Sequence, residues 1–384
     1  MILKIPLPWL QLTYKKMRFL VALMGIGFAV MLMFLQLGLR DALFDSAVRL
    51  HKSLQGDIIL LSPLSTASIS MESFSQRHLY KALGFEGVES VTPLYVEFAV
   101  WKNLKTRRAR LIFVIGLNPT QEVLNLAGVK ENIDKIKLDD VALFDRTSRP
   151  EFGPIPEEYN HGKTIIAEVN GHQVKISGLF QLGTSFGTDG SLILSDDTFF
   201  QVFHNRDRGL IDIGLIKLQP EANARIVLEN MKNGLSEGVT VLSKQEYIDF
   251  EKNYWNTSTA IGFIFYLGAI VGFTVGTIIV YQILYADVSE HLSEYATLKA
   301  IGYTNNYLLG VVFQESLILA SFGYIPGISI SLTLYTIVKQ VTLLPIYMSW
   351  SRALLILILT ISMCIVSGAI AIQKLRDADP VDVF

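Results

Sequence analysis

The chain has 384 residues, 51% of them hydrophobic and 18% charged, with a mean hydropathy of +0.39. This is too apolar for an ordinary soluble enzyme and too charged for a protein lying wholly in a bilayer, so membrane spans joined to a folded aqueous domain are expected. A formal net charge of −2 without a basic tract argues against nucleic acid as a partner, and the lone cysteine, Cys364, excludes a disulfide framework or a cysteine metal site.

Residues 1–18 hold Lys4, Lys15, Lys16 and Arg18 with no acid, which the positive-inside rule reads as a cytosolic N-terminus. Residues 19–39 carry no charge and match the ~20 residues that cross a bilayer. The run exceeds the ~7–15-residue core of a signal peptide and no A-x-A-like site follows it, so it is an uncleaved first transmembrane helix. From 40 to 259 the pattern changes. Short β-type runs are expected at 57–61, 94–101, 107–115, 164–169, 174–179, 210–218 and 239–242, with helices at 220–234 and 243–255. The Pro-rich stretch 149–156 reads as a surface loop or lobe junction. This region is a large α+β domain, placed outside the cytoplasm because it follows a span whose N-terminus is inside.

Residues 260–286 form the second span, again without charge. The stretch 287–306 lies between two spans yet reads as an ordered cytosolic helix. Asp287 or Ser289 would cap it, Glu290 and Glu294 would sit near its positive end, Lys299 in its last turn, and Gly302 would end it. Leu292 and Ala296 project one way, Tyr295, Leu298 and Ile301 another, so the helix has two surfaces to cover. Residues 307–338 form the third span, with Pro326 able to kink it. A periplasmic loop at 339–352, a fourth span at 353–372 and a cytosolic tail at 373–384 complete the chain. Four spans put both termini on one side, the cytoplasm.

Three fragments invite enzymatic readings and fail them. Gly162-Lys163-Thr164 resembles the end of a P-loop, but the glycine required at 157 is Glu157. Residues 183–187 (GTSFG) match G-x-S-x-G, but a nucleophile elbow leads into a helix and a Thr-Asp-Gly turn follows here, so a Gly-rich hairpin tip is expected. His51, His78, His161, His172, His204 and His291 show no metal-ligand spacing and are expected on the surface or in loops. No catalytic residue and no metal site follow from the sequence. Gly268, Gly272 and Gly276, and likewise Gly323 and Gly327, repeat every four residues and suit close helix approach, within one chain or across a homodimer. Glu315 is the one carboxylate well inside an apolar run. It is a functional candidate by default, and snorkelling to the cytosolic end or pairing with the loop is the preferred reading.

Residues 294–303 (EYATLKAIGY) resemble the E-x-x-x-L-[KR]-A-[LIM]-G stretch after the second span of FtsX/MacB-like ABC transporter permeases. Phe313-Gln-Glu315-Ser-Leu with Gly323 and Gly327 is similar to that family's third span, and Asp379-Pro380-Val381-Asp382 resembles its terminal motif. The N-terminal IPLPWLQLTYKKMRFLVALMGIGFAVMLMFLQLG together with EYATLKAIGYT is closest to the DevC branch of cyanobacterial exporter permeases. The resemblance implies a homodimer that recruits a separate P-loop ATPase to its cytosolic helix. ATP and Mg would be bound by that subunit and no cofactor by this chain, which is not an enzyme. Glu294, Tyr295, Leu298, Lys299, Ala300, Gly302 and Tyr303 would form the ATPase-coupling surface, with Tyr303 where relatives often carry a small residue. It further implies a periplasmic membrane-fusion protein and a TolC-like outer-membrane channel, with a glycolipid as cargo. An FtsX-like regulator of a cell-wall hydrolase and a lipoprotein-releasing permease are the alternatives.

Overall fold

The computed structural model describes residues 7–103, 108–235, 238–291, 293, 294, 297, 301, 302 and 305–377. They fall into two compact units, one drawn from Met1–Ala42, Ala260–Thr342 and Ile346–Phe384, the other from Leu43–Thr259 and Leu343–Pro345. The chain opens with α1 (Leu7–Tyr14) and α2 (Lys16–Ala47). It then runs through α3 (Arg49–Ser53), β1 (Ile58–Leu61), β2 (Phe74–Ser75), α4 (Gln76–Lys81), β3 (Val88–Lys102), β4 (Ala109–Leu117), α5 (Val129–Asn132), β5 (Val141–Asp145) and α6 (Ile155–Asn160). Next come β6 (Ile165–Val169), β7 (His172–Phe180), β8 (Ser191–Ser195), α7 (Asp196–Val202), β9 (Leu210–Ile211), β10 (Ile213–Leu218), α8 (Ala224–Gly234), β11 (Thr240–Ser243) and α9 (Lys244–Asn253). A π-helical turn, Tyr254–Ser258, leads to α10 (Ala260–Glu290), followed by α11 (Asn305–Thr342) and α12 (Trp350–Asp377).

In the helical unit, α2, α10, α11 and α12 are each long and apolar enough to cross a membrane. On α2, Ala22, Ile26, Ala29, Val30, Met33 and Phe34 are buried, while Leu20, Val21, Met24 and Phe28 are exposed. The buried set recurs every three or four residues, so one side of this uniformly apolar helix faces its neighbours and the other is free for lipid. Trp9 of α1 stacks on Phe19 and Phe322, with ring centroids 6.2 and 5.3 Å apart.

The strand-rich unit is built on a nine-stranded sheet ordered β11-β1-β10-β3-β4-β8-β5-β7-β6. A second pairing of β3 with β6, at Trp101–Val169 and Lys102–Glu168, joins the six strands from β3 to β6 into a closed ring. Trp101 sits inside it at 1% exposure, 5.3 Å from the ring of Phe144 and 6.2 Å from that of Phe152. Closure leaves these strands without a free edge. The remaining strands β10, β1 and β11 extend from the first half of β3. All four residues of β1 are buried, Ile58 and Leu60 in one core with α8, Ile59 and Leu61 in another with α3 and α9. A strand covered on both faces loses its polar alternation, which is why it reads as IILL. Helix starts follow local chemistry: Ser195 and Asn223 cap α7 and α8, and Ser243 with Glu246 forms a capping box on α9.

Several expectations change. β5 and β8 were not among the predicted strands. The single run expected at 210–218 is broken at Asp212, whose buried carboxylate accepts from the Val96 amide (2.8 Å) and from Arg206 Nη2 (2.6 Å). The Gly-rich segment 183–187 is no hairpin tip. It connects β7 to β8, which lie on opposite sides of β5 in the sheet, so it is a crossover.

Candidate functional site

The stretch from 287 onward is organised differently from the sequence-based expectation at its start. α10 continues to Glu290, so Asp287 and Ser289 lie in its last turn and not at the start of a new helix; Ser289 Oγ donates to the Tyr285 carbonyl (2.5 Å). A uniform apolar helix has no internal signal to stop at a charged residue that a neighbouring side chain can satisfy. Ser293, Glu294 and Thr297 are helical, with Thr297 Oγ1 donating to the Ser293 carbonyl (2.8 Å). Glu294 is exposed and its carboxylate lies 3.2 Å from His291 Nδ1. Ile301 donates its amide to the Thr297 carbonyl (3.1 Å), and Gly302 follows with φ +106°, a conformation open to glycine. Tyr295, Leu298, Lys299, Ala300 and Tyr303 lie outside the described residues, as does the tail motif 379–382.

Two groups of charges meet at this end of the bundle. Lys15, at the α1–α2 turn, pairs with Glu290, and Arg18 Nη1 lies 2.9 Å from the other Glu290 oxygen and 3.9 Å from Asp287. At the opposite end of α2, Asp41 accepts from Arg352 Nη2 (2.6 Å) and Nε (3.1 Å) and from Arg40 Nη2 (2.7 Å). Arg352 Nη1 donates to the Tyr347 carbonyl (2.7 Å), and Tyr335 donates to the Phe34 carbonyl (2.5 Å).

The five spaced glycines all meet their own chain. A Cβ on Gly268 would lie 2.5 Å from Gln36 Cδ and on Gly272 3.3 Å from Met33 Cγ, and on Gly276 it would meet Met363 Sδ of α12 and lie 2.8 Å from Ala29 Cβ of α2. On Gly323 and Gly327 it would lie 2.5 Å from Ile26 Cγ2 and Val30 Cγ1. Both glycine series therefore bring their helices onto α2. Glu315 does not snorkel to an aqueous end: it is fully buried in α11, and neither carboxylate oxygen has a hydrogen-bond partner among the described residues. Burying the carboxyl along an apolar helix flank leaves its short side chain without the length to reach an aqueous end.

In the strand-rich unit, Gly162-Lys163-Thr164 runs from the end of α6 into β6, helix then strand, the reverse of a phosphate-binding loop. Ser185 Oγ accepts from the amides of Gly187 (3.2 Å) and Thr188 (3.1 Å), which makes it the organiser of its crossover. That crossover is held by Asp145, whose carboxylate accepts from the amides of Thr147, Leu182 and Gly183 and from Thr147 Oγ1. Burial pushes the Asp145 carboxyl up, against the pull of these hydrogen bonds.

His51 is a correction: it is fully buried, in neither loop nor surface. Its Nε2 lies 3.2 Å from Ser68 Oγ and 3.3 Å from Glu251 Oε2, and its ring is 4.2 Å from that of Tyr247. Glu251 also accepts from the Ser68 amide (2.8 Å), Ser68 Oγ (2.9 Å) and Trp255 Nε1 (2.8 Å). Burial works to raise Glu251, but the hydrogen bonds from His51, Ser68 and Trp255 hold it below the usual glutamate range. The set is not a catalytic triad. Ser68 and Glu251 meet the same ring nitrogen, and Nδ1 has no partner to orient it. A helix-start residue and a spaced apolar face signal α9 in the sequence; the distant His51–Glu251 pairing has no local trace. Among the described residues no group of three or more His, Cys, Asp or Glu could hold a metal.

Residues 255–380 match the sequence model of the family described as FtsX-like permease C-terminal. No curated protein matches the chain. Among solved structures, the periplasmic region of MacB from Actinobacillus actinomycetemcomitans is similar at 11% identity and a TM-score of 0.35, over 52% of this chain and 94% of that one. The extracellular domain of the noncanonic ABC-type transporter YknZ from Gram-positive bacteria is similar at 12% identity and a TM-score of 0.31, over 49% of this chain and 99% of that one.

Proposed function

We propose that the chain is the permease subunit of an ABC-type exporter in a bacterial inner membrane. The observation that carries this reading is the FtsX-like permease match over residues 255–380, which takes in three of the four apolar helices. A separate P-loop ATPase holds ATP and Mg and docks on the cytosolic segment 287–304, through Glu294, Tyr295, Leu298, Lys299, Ala300, Gly302 and Tyr303. Two copies of the chain act together. Closure of the ATPase pair displaces the docking segments, and α2 and α10 pass the displacement to the strand-rich unit in the periplasm. That unit drives cargo, a glycolipid by resemblance to the DevC branch, into a membrane-fusion protein and a TolC-like channel.

The test is co-purification joined to an activity. Tagged full chain taken from its native membranes should bring down vanadate-sensitive ATP hydrolysis, and Gly302→Pro should lose it while inserting in equal amount. Equal hydrolysis with Gly302→Pro would defeat the docking segment. Absence of any ATPase with the unaltered chain would defeat the permease reading.

A further inference from the structure

The adjoining ends of α2 and α10 carry charges that each helix, taken alone, should avoid. Cations are unfavourable at a helix N-terminus and acids at a C-terminus. Yet α2 begins with Lys16 and Arg18, directly after Lys15, and has no acid in its first turn. α10 ends with Asp287 and Glu290 and has no base in its last turn. The preference for positive charge on the cytosolic side accounts for the lysines and the arginine; it does not call for the two acids. The two misplaced sets meet each other: Lys15 and Arg18 share Glu290, with Asp287 3.9 Å from Arg18. The bridge adds little to the fold. Lys15, Arg18 and Glu290 expose 47, 34 and 37% of their side chains, and exposed pairs are screened by solvent. A pairing that overrides local preference on both helices without holding them firmly points to a working part.

We propose that the Lys15/Arg18–Glu290 bridge is the link that carries displacement of the 291–304 segment into the first span, an inference that rests on the permease reading above. Glu290 is the last residue of α10, and the segment begins at the next residue. Motion there reaches Glu290 first, and the bridge hands it to the start of α2 without passing along the apolar body of α10. The other end of α2 is fastened differently: Arg352, only 5% exposed, grips Asp41 with two nitrogens. α2 is thus anchored at one end and held by exchangeable, solvent-wetted pairs at the end where force enters.

The experiment uses the full chain in lipid nanodiscs with its co-purified ATPase, carrying Cys364→Ala and a nitroxide on Met17→Cys, a position 72% exposed. Trapping with ATP and vanadate should change the label's mobility. Glu290→Gln should lose most of that change with ATPase still bound, and so should Lys15→Gln with Arg18→Gln. Adding Glu290→Gln to that pair should lose nothing more, because the link is already gone. A full response in Glu290→Gln, or losses that simply add in the triple variant, would overturn the link. An unaltered preparation with no ATPase bound would instead overturn the permease reading, and is seen before any spectrum is taken.

Discussion

Glu251 in the strand-rich unit and Glu315 in the helical unit are equally hidden, at 2 and 0% exposure, and opposite in company. Glu251 accepts from an indole, a hydroxyl and an amide and lies against a histidine. Glu315 has no partner among the described residues. A carboxylate with a full set of donors fixes the elements that supply them, here α3, the loop carrying Ser68 and the π-helical turn carrying Trp255, onto α9. A carboxyl buried without partners holds nothing together, so its presence in α11 has to be explained by what the bundle does.

The contrast can be broken first at Glu251. Glu251→Leu strands His51, the Ser68 amide and the Trp255 indole, and should cost about 3 kcal/mol in denaturant unfolding followed by tryptophan fluorescence. A loss below about 1 kcal/mol would make the cluster incidental. Next in size, Gly327→Leu should lower the thermal stability of the bundle by about 2 kcal/mol, because Val30 has no room to retreat. The pH dependence sharpens the same comparison. Glu251 is held below its ordinary range, so its contribution is complete above that range and is lost as pH falls through the depressed value. Asp145 is raised and works in the opposite sense, its burden easing as pH falls. Stability measured against pH should therefore lose its Glu251 acid limb in Glu251→Gln and keep it in Glu315→Gln. Smallest of all, Glu315→Leu should leave stability unchanged or raise it by about 1 kcal/mol while impairing transport. A marked loss of stability would show that Glu315 holds the bundle after all.

Much of this was legible from residues alone, wherever one segment carried its own signal. The uncharged runs gave four apolar helices, and β6 and the first half of β7 keep the alternation of a half-buried strand, while β1, β3 and β4 were found as β-rich apolar runs bounded by turn residues. β5 and β8 were missed although VALFD and SLILS are buried at every position just as β1 is: an apolar run without alternation does not say by periodicity alone whether it is a strand. The expected cap at Asp287 failed because α10 runs on through it to Glu290, whose carboxylate is met by Lys15 and Arg18, far away in sequence. The role of His51 depends on Glu251, and nothing local in either residue announces the other. Features set by one stretch of chain could be read; those set by two distant stretches could not.

The contact between His51 and Glu251 has a topological consequence. His51 stands at the beginning of the strand-rich unit and Glu251 near its end, so the unit's entry and exit are pinned within one buried cluster. An insertion of this size, left with free ends, would carry the closure entropy of a very long loop between its flanking helices. With its first and last helices fastened to each other, the unit meets that closure entropy within its own fold.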